Sequence, residues 1–301
     1  MRSLLAVLVT VPALALAQPA GVEKVPVTST PVAGNVHLLV GAGGNIAVSV
    51  GPDGLLIVDD QFEPLAPKIH KALDKLSQAK IAYVLNTHWH GDHTGGNAVF
   101  GREGRIVAQR EVRTRLAAGQ DQGSRGVIAP AKKEALPVIT YDTGMSLYFN
   151  GEEVRLTHLP AGHTDGDTLV YFTGSNVMHT GDQFVLDSFP FVDVASGGSL
   201  EGYVRNVEQV LQTLPPNVKI IPGHGALTDR AGMERFVAML RETVSLVRAK
   251  RDAGKTLEQV KAEGLPEKYK VYGEGFIKQD FWLETVYRGL EKGAAKATDG
   301  K

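Results

Sequence analysis

There is no cysteine among the 301 residues. That single absence removes a disulfide framework, a lipid-modified N-terminal cysteine, a thiolate nucleophile and a thiolate metal ligand. An excess of one charge sign is also missing. Lys and Arg number 32 against 33 Asp and Glu, a formal net charge of −1, so nothing calls for a nucleic acid or a membrane surface as partner. Beyond the first 17 residues no apolar run approaches the roughly 20 residues of a membrane span. Histidine is scarce, at nine, which makes its placement informative. What is present, 43% hydrophobic and 22% charged residues, suits a soluble globular protein with a sizeable core.

Arg2, the apolar stretch Leu4 to Leu16 and the small-x-small triplet Ala15-Leu16-Ala17 before Gln18 occur in the order of an export signal. Residues 1–17 are therefore expected to be a signal peptide, and the mature protein to be periplasmic or secreted. Residues 18–34, rich in Pro, Val, Thr and Ala, read as a loose N-terminus. Residues 35–301 read as one domain with a helical extension from about 230.

Short apolar runs at 36–40, 45–50 and 55–58, joined by Gly- and Asp-containing turns, predict consecutive antiparallel strands. Leu65, Ile69, Leu73 and Leu76 share one face of a helix over 64–77. Strands are expected at 81–85 and 106–108, and again at 146–149, 153–159, 168–173, 176–179 and 218–221. Leu116 to Pro137, with Gly119, Gly123, Gly126 and Pro130, reads as an irregular excursion of the kind that forms lids. Helices are expected at 200–214 with Ser199 as N-cap, at about 230–252, from Thr256, and at 277–291. Phe281, Trp282, Val286 and Leu290 read as a core-facing stripe without a site role. The order of elements implies an α/β protein with two sheets face to face and helices outside.

The decisive segment is Thr87-His88-Trp89-His90-Gly91-Asp92-His93-Thr94-Gly95-Gly96. It follows a strand, and its glycines force a loop in which alternating side chains fan out. His88 and His90 can reach one metal while Asp92 and His93 reach a neighbour, and these donors suit zinc. Three further candidates sit in Gly-containing loops after strand-like runs: His163 in Gly162-His163-Thr164, Asp182 in Gly181-Asp182 and His224 in Gly223-His224-Gly225. Ligands at the ends of several strands converge on one edge of a sheet assembly. Asp59 or Asp60, after the strand 55–58, is expected either to hydrogen-bond the ligand loop or to form a simple turn or cap. His158 and His179 end strands beside ligand loops, where packing or support of a ligand is expected. His37 and His70 read as surface or partly buried residues with no metal role.

These motifs together resemble the metallo-β-lactamase superfamily of binuclear metallohydrolases, over about Val36 to His224. The resemblance implies the four-layer αβ/βα sandwich with C-terminal helices. It implies two Zn(2+) per chain, with iron or manganese as alternatives. His88, His90 and His163 would bind the first metal, and Asp92, His93 and His224 the second. Asp182 would bridge the two, as in the glyoxalase II-like branch. There are departures. Asp182 stands where some true β-lactamases have Cys, and the lysine that usually follows in that branch is missing. His90 stands where flavodiiron enzymes carry Glu, which favours zinc hydrolysis over oxygen chemistry. No large basic insert of the processing-nuclease branches is present.

The implied reaction is hydrolysis of a small molecule. A hydroxide shared by two metals, anchored and oriented by Asp92 and Asp182, attacks a carbonyl carbon. The leading substrate class is a β-lactam or related cyclic amide, because the export signal places the protein where such molecules meet their targets. A glyoxalase II-like thioesterase or a lactone hydrolase is the alternative that Asp182 favours. An iron-dependent persulfide dioxygenase shares much of the motif and is the redox alternative. A non-catalytic binding module is disfavoured, since no metal position is lost.

Overall fold

The computed structural model describes residues 21–121 and 127–299. The expected signal peptide, 1–17, lies outside the described residues. Strands β1 (Thr28–Ala33), β2 (Val36–Val40), β3 (Ile46–Gly51) and β4 (Gly54–Val58) run as an antiparallel meander. Gly54, at φ 117°, closes the β3–β4 turn in a conformation that favours glycine. Helix α1 (Ala66–Asp74) leads to β5 (Ile81–Asn86), which pairs parallel with β4. The short helices α2 (Gly91–Thr94) and α3 (Asn97–Phe100) precede β6 (Arg105–Gln109), parallel to β5. Helix α4 (Arg110–Ala118) and a hairpin of β7 (Gln120–Asp121) and β8 (Val127–Ile128) follow. Strand β9 (Ile139–Tyr141) then completes a seven-stranded sheet in the order β1-β2-β3-β4-β5-β6-β9.

The second sheet has five strands. Strands β10 (Gly144–Phe149), β11 (Glu152–His158), β12 (Thr168–Phe172) and β13 (Val177–His179) are antiparallel neighbours. After helix α5 (Leu200–Thr213), β14 (Lys219–Ile221) pairs parallel with β13. Helices α6 (Arg230–Asp252), α7 (Leu257–Glu263) and α8 (Gln279–Asp299) close the chain. Among the described residues no helix is long and apolar enough to cross a membrane.

Side-chain alternation builds the layers. On β4, Leu56 and Val58 face the second sheet and join Leu85 and Val107 against Phe149, Val154, Leu156, Val170 and Phe172. Leu55 and Ile57 face outward onto Leu65, Ile69, Leu73 and Phe100. Both faces of β4 are therefore buried, which is why it reads as an unbroken apolar run. The outer face of the second sheet, with Leu169, Met178 and Ile220, is covered by Tyr203 and Val207 of α5, Phe236 and Leu240 of α6, and Trp282 and Val286 of α8. The result is the expected four-layer αβ/βα sandwich with C-terminal helices. Ser199 caps α5, its side chain accepting from the Gly202 N–H at 3.0 Å.

Two expectations need correction. The segment 18–34 is not loose throughout, because Thr28–Ala33 is β1, paired with β2; its β-branched Thr and Val suit an edge strand. The excursion at 116–137 begins on the last turn of α4, which the sequence reading did not foresee. Only Val112 of α4 is buried, so the helix carries too thin an apolar stripe to show a period.

The topology also positions the site. Strands β4 and β5 are parallel, and so are β13 and β14. Pairing through β12 makes β11 parallel to β13. The C-terminal ends of all five deliver their loops to one edge of the sandwich.

Candidate metal centre

His88 leaves the end of β5, and His90 sits at the N-terminus of α2 with extended backbone (φ −63°, ψ 148°). Their rings turn toward one point. His88 Nε2 lies 3.1 Å from His90 Nδ1, and His163 Nε2 lies 2.8 Å from the same atom. The outward nitrogens are engaged elsewhere. His163 Nδ1 donates to the Phe191 carbonyl at 2.8 Å. His90 Nε2 lies 3.0 Å from Asp193 Oδ2. His88 Nδ1 lies 3.0 Å from Thr87 Oγ1, whose own proton goes to Asp59 Oδ2 at 2.8 Å. With their N–H groups committed outward, three imidazole lone pairs face one another. That is repulsive unless a cation sits between them, and the separations approach the edges of a tetrahedron with zinc–nitrogen bonds of about 2.0–2.1 Å.

A second cluster adjoins the first. One turn of α2 brings Asp92 and His93 to the same side. His224 Nε2 lies 3.2 Å from Asp92 Oδ2 and 3.4 Å from His93 Nε2. Asp182 stands between the clusters. Its Oδ1 is 3.2 Å from His93 Nε2 and 3.5 Å from His224 Nε2, and its Oδ2 is 3.7 Å from His163 Nε2. Asp182 Oδ1 is buried without a hydrogen-bond partner. An orphaned carboxylate oxygen among inward-facing nitrogens fits a cation. The trios His88–His90–His163, His88–His93–Asp182 and Asp92–His93–His224 each bring their donor atoms within 4.8 Å of one another. All seven residues singled out in the sequence thus meet at one place.

The clusters are held by a fully buried frame. Asp59, at φ 64° after β4, accepts from the Thr87 N–H at 2.8 Å, and its Oδ2 lies 2.7 Å from His93 Nδ1. Asp60 accepts from the Gly96 N–H at 2.8 Å. Both aspartates therefore hold the ligand loop, rather than one of them. His179 accepts from the Gly181 N–H and donates to the Asn45 carbonyl, so it braces the Asp182 loop without reaching a metal cluster. His158 Nδ1 donates to the Asp167 carbonyl at 2.9 Å. His70, on α1, pairs with Glu103, and His37 is half-buried on β2. Glycines make room where the elements meet. A Cβ on Gly44 would stand 2.1 Å from the His93 ring, and one on Gly223 would stand 2.0 Å from Asp182 Oδ1.

Electrostatics divide the site. Burial, reinforced by neighbouring imidazoles, holds His88 well below its ordinary value and His163 down at about 4. Both are therefore neutral donors of a lone pair. Burial would likewise raise the carboxyls of Asp92 and Asp182, but His93 and His224 outweigh it and hold both well below the usual carboxylate range. The same pairing works in reverse. Against burial, Asp182 and Asp92 raise His93 well above its ordinary value and His224 to about 10. His88 and His163 are thus neutral, whereas Asp92 and Asp182 are ionised and paired with His93 and His224.

Several supporting residues were missed in the sequence. Asp193 comes from the loop before α5, where it also accepts from the Ser196 hydroxyl and backbone N–H. Asn45 donates to the Pro222 and Gly225 carbonyls at 2.9 Å and so shapes the His224 loop. Tyr203 donates to the Asp182 carbonyl at 2.8 Å. Asp167 accepts from Thr164 and Gln183 inside the His163 loop, and burial pushes its carboxyl up to about 8. Phe281 packs against the core as expected, but it is only half-buried, and its ring also lies 5.9 Å from that of Phe191, which adjoins the first cluster.

Residues 29–224 match the family model described as the metallo-beta-lactamase superfamily. The chain is 23% identical over 201 residues to a metallo-beta-lactamase type 2 of Bacteroides fragilis, covering 65% of this chain and 72% of that protein. It is 29% identical over 196 residues to a hydroxyacylglutathione hydrolase of Nitrosococcus oceani, covering 61% and 66%. Among solved structures, a metallo-beta-lactamase from Pontibacter korlensis superposes with a TM-score of 0.57 at 18% identity, covering 71% of this chain and 99% of that one. A stereoselective inverting sec-alkylsulfatase from Pseudomonas sp. superposes with a TM-score of 0.63 at 14% identity, covering 87% of this chain but 50% of that one. The two structural likenesses are of fold. The family match ends at His224, so α6, α7 and α8 lie beyond it.

Proposed function

The chain belongs to the metallo-beta-lactamase superfamily, and we propose that it is a periplasmic or secreted hydrolase that holds two zinc ions and opens the carbonyl–nitrogen bond of a β-lactam or related cyclic amide. The observation that carries the hydrolytic reading is the position of Asp182, one oxygen toward His93 and His224 and the other toward His163. A carboxylate so placed joins two nitrogen-rich clusters into one site. His88, His90 and His163 would hold one ion, Asp92, His93 and His224 the other, with Asp182 shared. A donor set of imidazole and carboxylate alone suits zinc. Bound zinc supplies Lewis acidity and lowers the pKa of water toward about 7.

The side chains around that chemistry have separate tasks. Asp92 and Asp182, both held ionised, accept hydrogen bonds from the attacking water and orient it. The His224 and Asp92 side chains are the open members of the site, 38% and 26% exposed, whereas His93 is fully buried. A substrate therefore enters from the His224 side and presents its carbonyl across the shared carboxylate. Asp59 and Asp193 keep protons on the outward nitrogens of His93 and His90, so the inward nitrogens stay free to ligate. The export segment and the B. fragilis relative support the cyclic-amide substrate.

A second reading, hydrolysis of a thioester or lactone, is favoured by the carboxylate at 182 and by the hydroxyacylglutathione hydrolase relative. One set of measurements tests both. Mature protein is assayed for metal content and then, zinc-loaded, against a chromogenic cephalosporin, a carbapenem, acyl-homoserine lactones and a glutathione thioester. Two zinc ions and turnover of a cyclic amide are expected. Turnover of the thioester or lactones alone moves the assignment to the second reading, and a single iron per chain overturns hydrolysis. Cleavage after Ala17 with recovery in the periplasmic or extracellular fraction tests the localisation.

A further inference from the structure

We propose that Phe191 and Phe281 form an apolar wall beside the metal-binding side chains and select substrates carrying an uncharged, apolar substituent next to the scissile carbonyl. The proposal rests on the hydrolase reading above and names the substrate class within it. The ring of Phe191 lies 5.9 Å, centroid to centroid, from both His90 and His163. Its backbone is pinned there, because the Phe191 carbonyl accepts from His163 Nδ1. The ring of Phe281 lies 5.9 Å from that of Phe191. Both side chains pack against the core yet remain only half-buried, so part of each stays accessible to solvent.

Phe281 is not held by chance. The adjacent Trp282 stacks on Phe189 at 5.7 Å and 12°, and its indole N–H donates to Thr243 at 3.0 Å. This fixes the first turn of α8 against the loop that carries Phe191. Phe191 lies within the residues matched by the family model, and α8, which carries Phe281, lies beyond them. The opposite flank is apolar too: Leu186, half-buried, donates its backbone N–H to the His224 carbonyl.

Among the described residues, every ion pair of Asp92, Asp182 and Asp193 is with histidine. Arg115 is committed to Asp165 through both Nε and a terminal nitrogen, at 2.6 and 2.5 Å. A substituent lying against Phe191 and Phe281 gains by leaving water if it is apolar. A charged one loses hydration that the two rings do not replace.

The test uses the full mature chain, zinc-loaded, in wild-type form and as Phe281→Ala and Phe281→Leu. Neutral acyl-homoserine lactones from butanoyl to dodecanoyl give kcat/KM as a function of chain length. Titration with the neutral fluorophore N-phenyl-1-naphthylamine gives an affinity that needs no turnover. Wild type is expected to gain up to about fourfold in kcat/KM for each methylene that the wall covers. Phe281→Ala should flatten that slope mainly through KM and weaken the fluorophore by about tenfold, while Phe281→Leu keeps most of both. Unchanged melting temperatures separate this from misfolding. Equal slopes and equal fluorophore affinity in wild type and Phe281→Ala overturn the wall. If no lactone is turned over, that arm of the hydrolase reading fails, and the fluorophore titration alone decides the wall.

Discussion

Replacing Asp59 by Asn should disarm one metal cluster while sparing the fold. The wild-type carboxylate accepts three hydrogen bonds. Oδ1 accepts the Thr87 N–H at 2.8 Å, and Oδ2 accepts the Thr87 hydroxyl at 2.8 Å and His93 Nδ1 at 2.7 Å. An amide has only one oxygen to offer. If the amide nitrogen takes the Oδ1 place, it faces the Thr87 N–H, and a buried donor unmatched in this way costs about 1–3 kcal/mol. If it takes the Oδ2 place, it meets two groups that can both accept, the Thr87 oxygen and an unprotonated His93 Nδ1. The second arrangement wins. When His93 gives up one proton to become a ligand, the proton that stays is then forced onto Nε2, the nitrogen aimed at Asp182 and His224. The inward lone pair is then gone. Loss of such a support typically lowers metal affinity by about 10–100-fold, equivalent to about 1.4–2.7 kcal/mol. The loss should fall first on the Asp92–His93–His224 cluster and reach His88 only through Thr87, whose hydroxyl loses its acceptor at Asp59 and has His88 Nδ1 3.0 Å away. Stepwise titration with zinc against a chromogenic chelator reads the two affinities. Nitrogen-detected NMR of His93 reads the tautomer. Two unchanged binding steps, with the proton still on Nδ1, would refute the reasoning. Asp59→Ala is different in kind, since it leaves all three donors without an acceptor and should destabilise the protein by about 3 kcal/mol or more in a melting experiment.

Three further outcomes follow from the same geometry. Gly44→Ala places a methyl group 2.1 Å from the buried His93 ring. The ring has to move, so a loss of about 1–3 kcal/mol in stability and a weaker second zinc step are expected, read by melting and chelator competition. Metal uptake should depend on pH. His224, raised to about 10, carries a proton at neutral pH that a metal must displace. Affinity for its cluster should therefore climb about tenfold per pH unit for each proton released, until pH nears 10. In metal-free protein the His224 proton stabilises the fold fully below its ordinary 6.5, and that contribution is lost as pH rises through about 10. His163, lowered from 6.5 to about 4, acts oppositely: its contribution is present above 6.5 and lost as pH falls through about 4. Melting temperatures of chelated protein should therefore fall on both sides of neutrality, and a flat profile from pH 4 to 10 would contradict the assignment. Removing metal with a chelator should abolish turnover while circular dichroism keeps its native form, because the clusters between and outside the sheets contain no metal-binding side chain.

The ligands were readable in the sequence because each carries a local mark. His88, His90, Asp92 and His93 are crowded into one loop after an apolar run, and His163, Asp182 and His224 each sit beside a glycine that a close approach requires. Strands such as β4 and β5 were readable for a similar reason, since burial of both faces leaves an unbroken apolar run. The supporting frame has no such mark, because its members matter only through contacts far away in the chain. Asp193 meets His90 across 103 positions, and Asn45 reaches the Pro222 and Gly225 carbonyls across 177 and 180. An isolated Asp in a loop or an Asn after two glycines is indistinguishable from an ordinary turn residue until the sheets have stacked. Asp59 and Asp60 lie between these cases: a strand ending at the site edge made one of them a supporter, and the fold employs both. Phe281 shows the limit of periodicity most sharply. Helical spacing correctly turned Trp282 and Val286 into the core, yet a period reports only which face of a helix turns inward. It does not report that Phe281, at the edge of that face, comes to lie against Phe191. Sequence patterns locate the chemistry of a site; the residues that tune its selectivity come from elements whose meeting only the tertiary fold decides.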